Sequence, residues 1–158
     1  MSINTAMVTS NKNLLSLTGF KLQISGADYV NTEYFAVSAT LPSINLPEIE
    51  LSYRNRHGFL PGEKIQYDPI NIRIAVDEEL KVYDELYQWI LKNATTDVLD
   101  VREMSLIFLT SHNNISRTMR FSNAFPTSIG SIEFNTQMSD VEYAYVDVSF
   151  RYDVFEFV

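Results

Sequence analysis

No cysteine occurs among the 158 residues, which excludes thiol catalysis, disulfide staples and cysteine-ligated zinc and leaves the redox compartment unread. Long apolar runs are also missing. A membrane-spanning helix needs roughly 20 apolar residues in a row, and residues 1–19 lack the basic start and apolar centre of a signal peptide; the expectation is a soluble intracellular product with no membrane partner. Basic residues are scarce, with 12 Lys+Arg against 20 Asp+Glu and a net charge of −8. Affinity for nucleic acid comes largely from cations that displace counterions from phosphates, so a tight grip on DNA is not expected. The five glycines, Gly19, Gly26, Gly58, Gly62 and Gly130, are too scattered for a phosphate loop. His57 and His112 each fall in a predicted loop without a second ligand at metal spacing, and there is no Gly-x-Ser-x-Gly elbow. No catalytic residue, cofactor or metal is expected.

What the chain does have is aromatic and apolar mass. Hydrophobic residues make up 46% and aromatics 13%, with ten Phe and nine Tyr, and a chain of this length can bury about 68–70% of its unfolded surface around one core. From Phe20 onwards the apolar residues alternate. Phe20, Leu22 and Ile24 face one way and Lys21 and Gln23 the other, the period of a half-buried strand. Further strands are expected at Tyr34 to Leu41, around Ile49, Leu51 and Tyr53, at Ile70 to Val76, and at Met104 to Thr110 and Ile115 to Phe121 as a hairpin around "SHNN". A short strand follows at Ile129 to Phe134. The last is read as one strand of about 14 residues from Val141 to Val154, with Val146, Val148 and Phe150 inward and Tyr143, Tyr145 and Arg151 outward. "RNRHGFLPGEK", 54–64, reads as a long polar loop, and residues 1–19 as an arm ordered only on assembly, ahead of a single domain at 20–158.

One stretch, "AVDEELKVYDELYQWILKN" at 75–93, concentrates carboxylates: Asp77, Glu78, Glu79, Asp84 and Glu85. An acid/base pair would need them to converge on a pocket with separated pKa values. They fit better as the N-cap, first turn and wet face of a helix over about 78–92, where a helix dipole favours negative charge. Leu80, Tyr83, Leu86, Tyr87, Ile90 and Leu91 read as its apolar face. The expected core is Phe20, Leu22, Ile72, Ile74, Leu86, Trp89, Ile90, Val146, Val148 and Phe150. The fold class is therefore mainly β (α+β): an antiparallel β-sandwich or barrel of about seven to eight strands with one flanking helix. Long alternating strands also build ligand-holding barrels, but outward aromatics such as Tyr143, Tyr145, Phe155 and Phe157 point to a partner surface instead.

The order of several segments resembles the tail-tube family of contractile-tailed bacteriophages, which is related to baseplate tube-initiator and type VI secretion tube proteins. Those segments are the strand ending Leu41-Pro42, "LSYRNRHGFLPGEK", Val76-Asp77-Glu78 running into a helix that ends Trp89-Ile90, "FSNAFPTSIGSIEF" and the closing "VEYAYVDVSFRYDVFEF". The resemblance covers about residues 20–158. It implies a structural virion protein with no enzymatic activity and no cofactor, in which homohexameric rings stack into a hollow tube inside a sheath. Partners would be other copies of the chain, the tail sheath protein, and baseplate and tail-terminator proteins, with genomic DNA only in transit. The place would be the phage tail, assembled in the host cytoplasm. A single initiating or terminating ring of the same fold is the alternative. On this reading Arg54, Arg56, Phe59 and Leu60 are candidates for contacts between rings, and Tyr143, Tyr145 and Arg151 for contacts within a ring.

Overall fold

The computed structural model describes residues 13–158. Its elements run β1 (Phe20–Ile24), α1 (Val30–Tyr34), β2 (Ala36–Thr40), β3 (Ile44–Asn45), β4 (Glu48–Ser52), β5 (His57–Pro61), β6 (Gln66–Tyr67), β7 (Ile70–Ala75), α2 (Lys81–Thr95), β8 (Arg102–Leu109), β9 (Ile115–Ile129), β10 (Tyr145–Arg151) and β11 (Phe155–Phe157). Seven strands form one antiparallel sheet in the order β1-β8-β9-β10-β7-β2, with β11 beside β9. The sheet folds over without closing, as a sandwich flanked by α2, and β1 and β2 are its two ends.

The fold turns on β9. Its first half pairs with β8 and β11, its second half with β10, and the change of partner falls at Asn123, which takes a left-handed φ of 53° and donates from Nδ2 to Asp153 Oδ2 at 2.6 Å. Asn tolerates that conformation better than most residues. The C-terminal run follows the same corner. Backbone bonds from Ser122 N–H to Val154 O and from Asp153 N–H to Ser122 O, 2.9 and 3.0 Å, bend it between β10 and β11. So the run expected as one strand from Val141 to Val154 is a strand only over β10, Val154 turns outward at the corner, and the chain pairs again as β11 in the other half of the sheet. The long strand is β9, which the sequence pattern ended at Phe121, with a second strand expected only from Ile129. Proline normally marks a strand's edge or a bulge, and Pro126 sits opposite Phe150, where the register shifts. Residues 130–144, expected to contribute a strand at Ile129 to Phe134, form an irregular loop.

Trp89, Phe121, Phe150, Ile70, Ile72, Ile74, Leu86, Met104, Leu106, Val82, Val146 and Val148 are almost completely buried. Of the expected core, Phe20 is half-buried against this cluster and Ile90 half-buried on the helix. The helix lies one step round from its expected orientation. Val82, Leu86 and Trp89 point inward, while Leu80, Tyr83, Tyr87 and Leu91 remain exposed. Nor does Asp77 occupy the N-cap position: Leu80 does, with φ 56°, and Asp77 caps from a distance, its Oδ1 accepting from the Val82 N–H at 3.2 Å. Partial burial would raise the Asp77 pKa, but amide donors at Val82 and Lys81 more than offset it and hold the carboxyl below its ordinary value.

Two expectations concern elements the sequence pattern hid. Tyr34, the first residue of the expected Tyr34 to Leu41 strand, is the last residue of α1, and the strand itself is β2, Ala36–Thr40. Helix α1 is held by Glu85, whose Oε2 accepts from Thr32 N–H and Oγ1 at 3.2 and 3.1 Å and whose Oε1 accepts from Asn31 Nδ2 at 2.5 Å. Glu85, expected to face water, is thus a partly buried cap for a neighbouring helix. The second is 54–64, expected as a loop: β4 and β5 pair across Ser52↔His57 through Glu48↔Pro61, and β3 and β6 pair below them. Together they make a two-stranded ribbon. Where the two pairs join, Gly62 N–H donates to Pro47 O at 2.6 Å, and a Cβ on Gly62 would lie 2.5 Å from that same oxygen. Only glycine permits this approach without displacement.

Candidate functional site

The carboxylates that raised the question of catalysis do not converge. Glu79 pairs with Lys81, Asp84 lies on the wet helix face 3.4 Å from Gln88 Nε2, Glu85 holds α1, and among the described residues no group of three His, Asp or Glu is arranged to hold a metal ion. His57 Nδ1 lies 2.6 Å from Glu50 Oε1 on the exposed ribbon, and His112 sits in the β8–β9 turn. Among the described residues the one buried carboxylate is Asp100. It accepts from Tyr29 Oη at 2.9 Å, Lys92 Nζ at 3.0 Å and Arg102 Nε at 2.6 Å, and its carbonyl accepts from Trp89 Nε1 at 2.7 Å. Burial would raise its pKa, yet the Arg102, Lys92 and Tyr29 donors outweigh that and bring it to about 2. Every buried side-chain polar atom among the described residues has a partner. This cluster is a structural tie between α1, α2 and β8.

What remains available is surface, and it falls into three regions. The first is the ribbon. Its base is clamped: Tyr152 Oη donates to Asp68 O at 2.9 Å, Arg151 Nη1 to Tyr67 O at 3.2 Å, and Tyr67 packs against Tyr152 and Phe155 with ring centroids 5.9 and 5.5 Å apart. Burial, with Tyr67 and Asp68 nearby, pushes the Tyr152 hydroxyl up to about 12, so it stays a neutral donor. Beyond the base no other element packs extensively on β4 and β5. Arg54 and Arg56 are exposed at the tip, Arg56 over the Tyr53 ring at 5.5 Å. Phe59 and Leu60 are adjacent on β5 and so lie on opposite faces: Leu60 is beside Ile49, with Leu51 on the same face, and Phe59 beside Glu50.

The second region is the pair of free sheet edges, β1 and β2. They border a small apolar groove of about 80 Å³ lined by Phe20, Ala39, Leu41, Leu106 and Phe108, with Leu15 and Leu17 of the N-terminal arm across it. The first twelve residues of that arm lie outside the described residues. Edge β1 is partly shielded, because Ile24 N–H donates to the Glu33 carboxylate of α1. In the closing run, β10 is paired on both sides by β7 and β9, whereas β11 is paired on one side only, by β9. The third region is the 131–144 loop with Tyr143 and Tyr145. Tyr143 is 79% exposed and Tyr145 44%, the latter stacked by Arg73 at 5.7 Å, which also reaches Asp147 at 3.4 Å. Arg151 is at the opposite end of β10 and is occupied at the ribbon's base, so it does not share a patch with the two tyrosines. Nothing in the sequence pattern distinguishes these ends. Only the register of β10 on β7 does.

This fold is shared with solved chains of contractile injection systems. A chain of the sheath–tube complex of an extracellular contractile injection system, PVC, in its extended state is 20% identical over 93% of both chains, with a TM-score of 0.68. The anti-feeding prophage tube-terminating cap is 21% identical over 100% of this chain and 99% of that one, TM-score 0.67, and an Hcp protein is 14% identical over 88% and 89%, TM-score 0.56. At such identities the shared property is the fold. No protein-family model matches the sequence, and no curated protein matches it.

Proposed function

We propose that the chain is the tail tube subunit of a contractile-tailed bacteriophage: six copies close into a ring, rings stack into a hollow tube inside a sheath, and genomic DNA passes through the lumen during injection. The observation that carries this reading is the full-length likeness to both a sheath–tube complex and a tube cap, joined to a surface built for self-assembly. Head-to-tail rings need two different patches on each copy. The unequal edges β1 and β2, with Tyr143 and Tyr145, supply lateral contacts, and the ribbon carrying Arg54, Arg56, Phe59 and Leu60 reaches the next ring. Sheath, baseplate and terminator proteins are the expected partners, and the phage tail the expected place. The cap likeness, which spans the whole chain, favours a second reading as a single terminating ring, and a baseplate initiator ring of the same fold belongs with it.

Negative-stain microscopy of the purified chain tests the proposal. A tube subunit gives rings and long rods with a central hole, a terminator or initiator gives single rings, and a small discrete particle at all concentrations would refute both. Deleting 55–62 should leave folded rings that do not polymerise, and Tyr145→Glu should disrupt the rings themselves.

A further inference from the structure

The ribbon and the 131–144 loop leave the sheet at opposite ends. The ribbon returns into β7 at Ile70, beside Phe150, and the loop enters β10 at Tyr145, beside Ala75. One length of β7, about 17 Å at 3.3 Å per residue, separates them. The ribbon end carries Tyr53-Arg54-Asn55-Arg56-His57 at its tip. Arg54 has no ion-pair partner among the described residues, and Arg56 has only the Tyr53 ring. At the far end, residues 131–147 contain no Lys, Arg or His and four carboxylates. Asp147 is paired with Arg73, whereas Glu133, Asp140 and Glu142 have no cation beside them among the described residues. The same loop folds around a concavity of about 410 Å³, in which Phe134 is 79% and Val141 90% exposed. Exposed apolar side chains rimmed by unpaired charge are characteristic of an interaction surface.

We propose that this loop is the receptor for the ribbon of a second copy: the tip enters the concavity, Tyr53 packs on Phe134, Met138 and Val141, and Arg54 and Arg56 pair with Glu133, Asp140 and Glu142. The occupant is a second copy because the missing charge is carried by this same chain, at the other end of the same strands. One chain's loop cannot take its own tip, since the ribbon is held at its base pointing away. A patch and its complement at opposite ends generate an open, directional stack. The proposal rests on the tube reading and specifies which surface of the next ring is met.

The absence of native cysteine allows a direct test. Arg56→Cys and Asp140→Cys, prepared separately, mixed and mildly oxidised, should give a cross-linked dimer only in the mixture. Arg54→Glu/Arg56→Glu and Glu133→Lys/Asp140→Lys/Glu142→Lys should each raise the concentration needed for polymerisation at least about tenfold, and both sets combined in one chain should restore tubes. All five positions are exposed, and unchanged urea midpoints would establish that the variants fold. Normal tubes from the triple loop variant, or no rescue in the combined chain, would overturn this docking while the tube reading stands. A wild-type chain that never forms rings or tubes removes the tube reading itself.

Discussion

At the scale of single residues, Asp100 has the largest effect on stability that can be tested by pH. It is buried, and three donors on different elements converge on its carboxylate. Its folded-state pKa of about 2 lies below the roughly 3.9 of an unfolded Asp. The folded state therefore binds fewer protons between those values, and stability rises with pH across that window. The contribution is complete above about pH 4 and is lost as pH falls towards 2. Lys92 is 54% exposed, so solvent screens part of it, and about 1–2 kcal/mol is expected instead of the full shift. Urea unfolding at pH 2.5 and pH 7 checks this: the wild type should lose that stability at the acid end, and Asp100→Asn should show a flatter profile from a lower start. An equal pH dependence in both would mean that other carboxylates govern acid sensitivity.

At the scale of elements, the sequence made the strands legible wherever one face is buried and the other wet. The alternation over Phe20–Ile24, Ile70–Ala75 and Tyr145–Arg151 is matched by buried Leu22, Ile72, Ile74, Val146 and Val148. It failed where partner choice overrides local pattern. At β9 a bend at Asn123 and a proline at a register shift sit inside one strand, and the ribbon's strands pair with each other although nearly every residue is exposed, so no burial pattern marks them. The helix was found but misoriented, because apolar residues occur on two of its faces and only the geometry of Trp89 chooses between them. That residue stacks on Tyr29 at 4.1 Å and reaches Phe150 at 6.0 Å. Trp89→Ala should cost about 3–5 kcal/mol, whereas Tyr87→Ser, on the exposed face, should stay within about 0.5 kcal/mol. Equal costs in chemical denaturation would show that the outer face of α2 also contributes to the monomer's stability. As for the surfaces, the sequence singled out Arg54, Arg56, Tyr143 and Tyr145, and each is exposed. It gave no sign that Arg151 is tied to the ribbon's base, since a hydrogen bond to the carbonyl of a residue 84 positions away leaves no local pattern.

At the scale of the whole molecule, the acidic balance bears, on the proposed tube reading, on what could pass through the lumen. Duplex DNA carries one charge about every 1.7 Å of its axis, and proteins that hold it do so by displacing counterions with Lys and Arg. Each copy here has eight more carboxylates than cations, and the two arginines at the ribbon tip, Arg54 and Arg56, are consumed by stacking if the tip docks on the 131–144 loop. An assembled wall of such copies would then present repulsion that decays over a Debye length of about 8 Å at physiological salt. DNA in such a channel would meet no site at which to bind and could move freely. Assembled tubes should therefore leave the mobility of a short duplex unchanged in a gel-shift assay at 150 mM salt, and lowering the salt should not create binding, because weaker screening strengthens repulsion. Arg54→Glu/Arg56→Glu, assayed as tubes above its raised polymerisation concentration, should likewise leave the duplex unshifted if the tip is buried between rings. Retention of duplex by wild-type tubes that disappears in this double variant would instead place the arginines on a nucleic-acid-facing surface, and would remove them from the contact between rings.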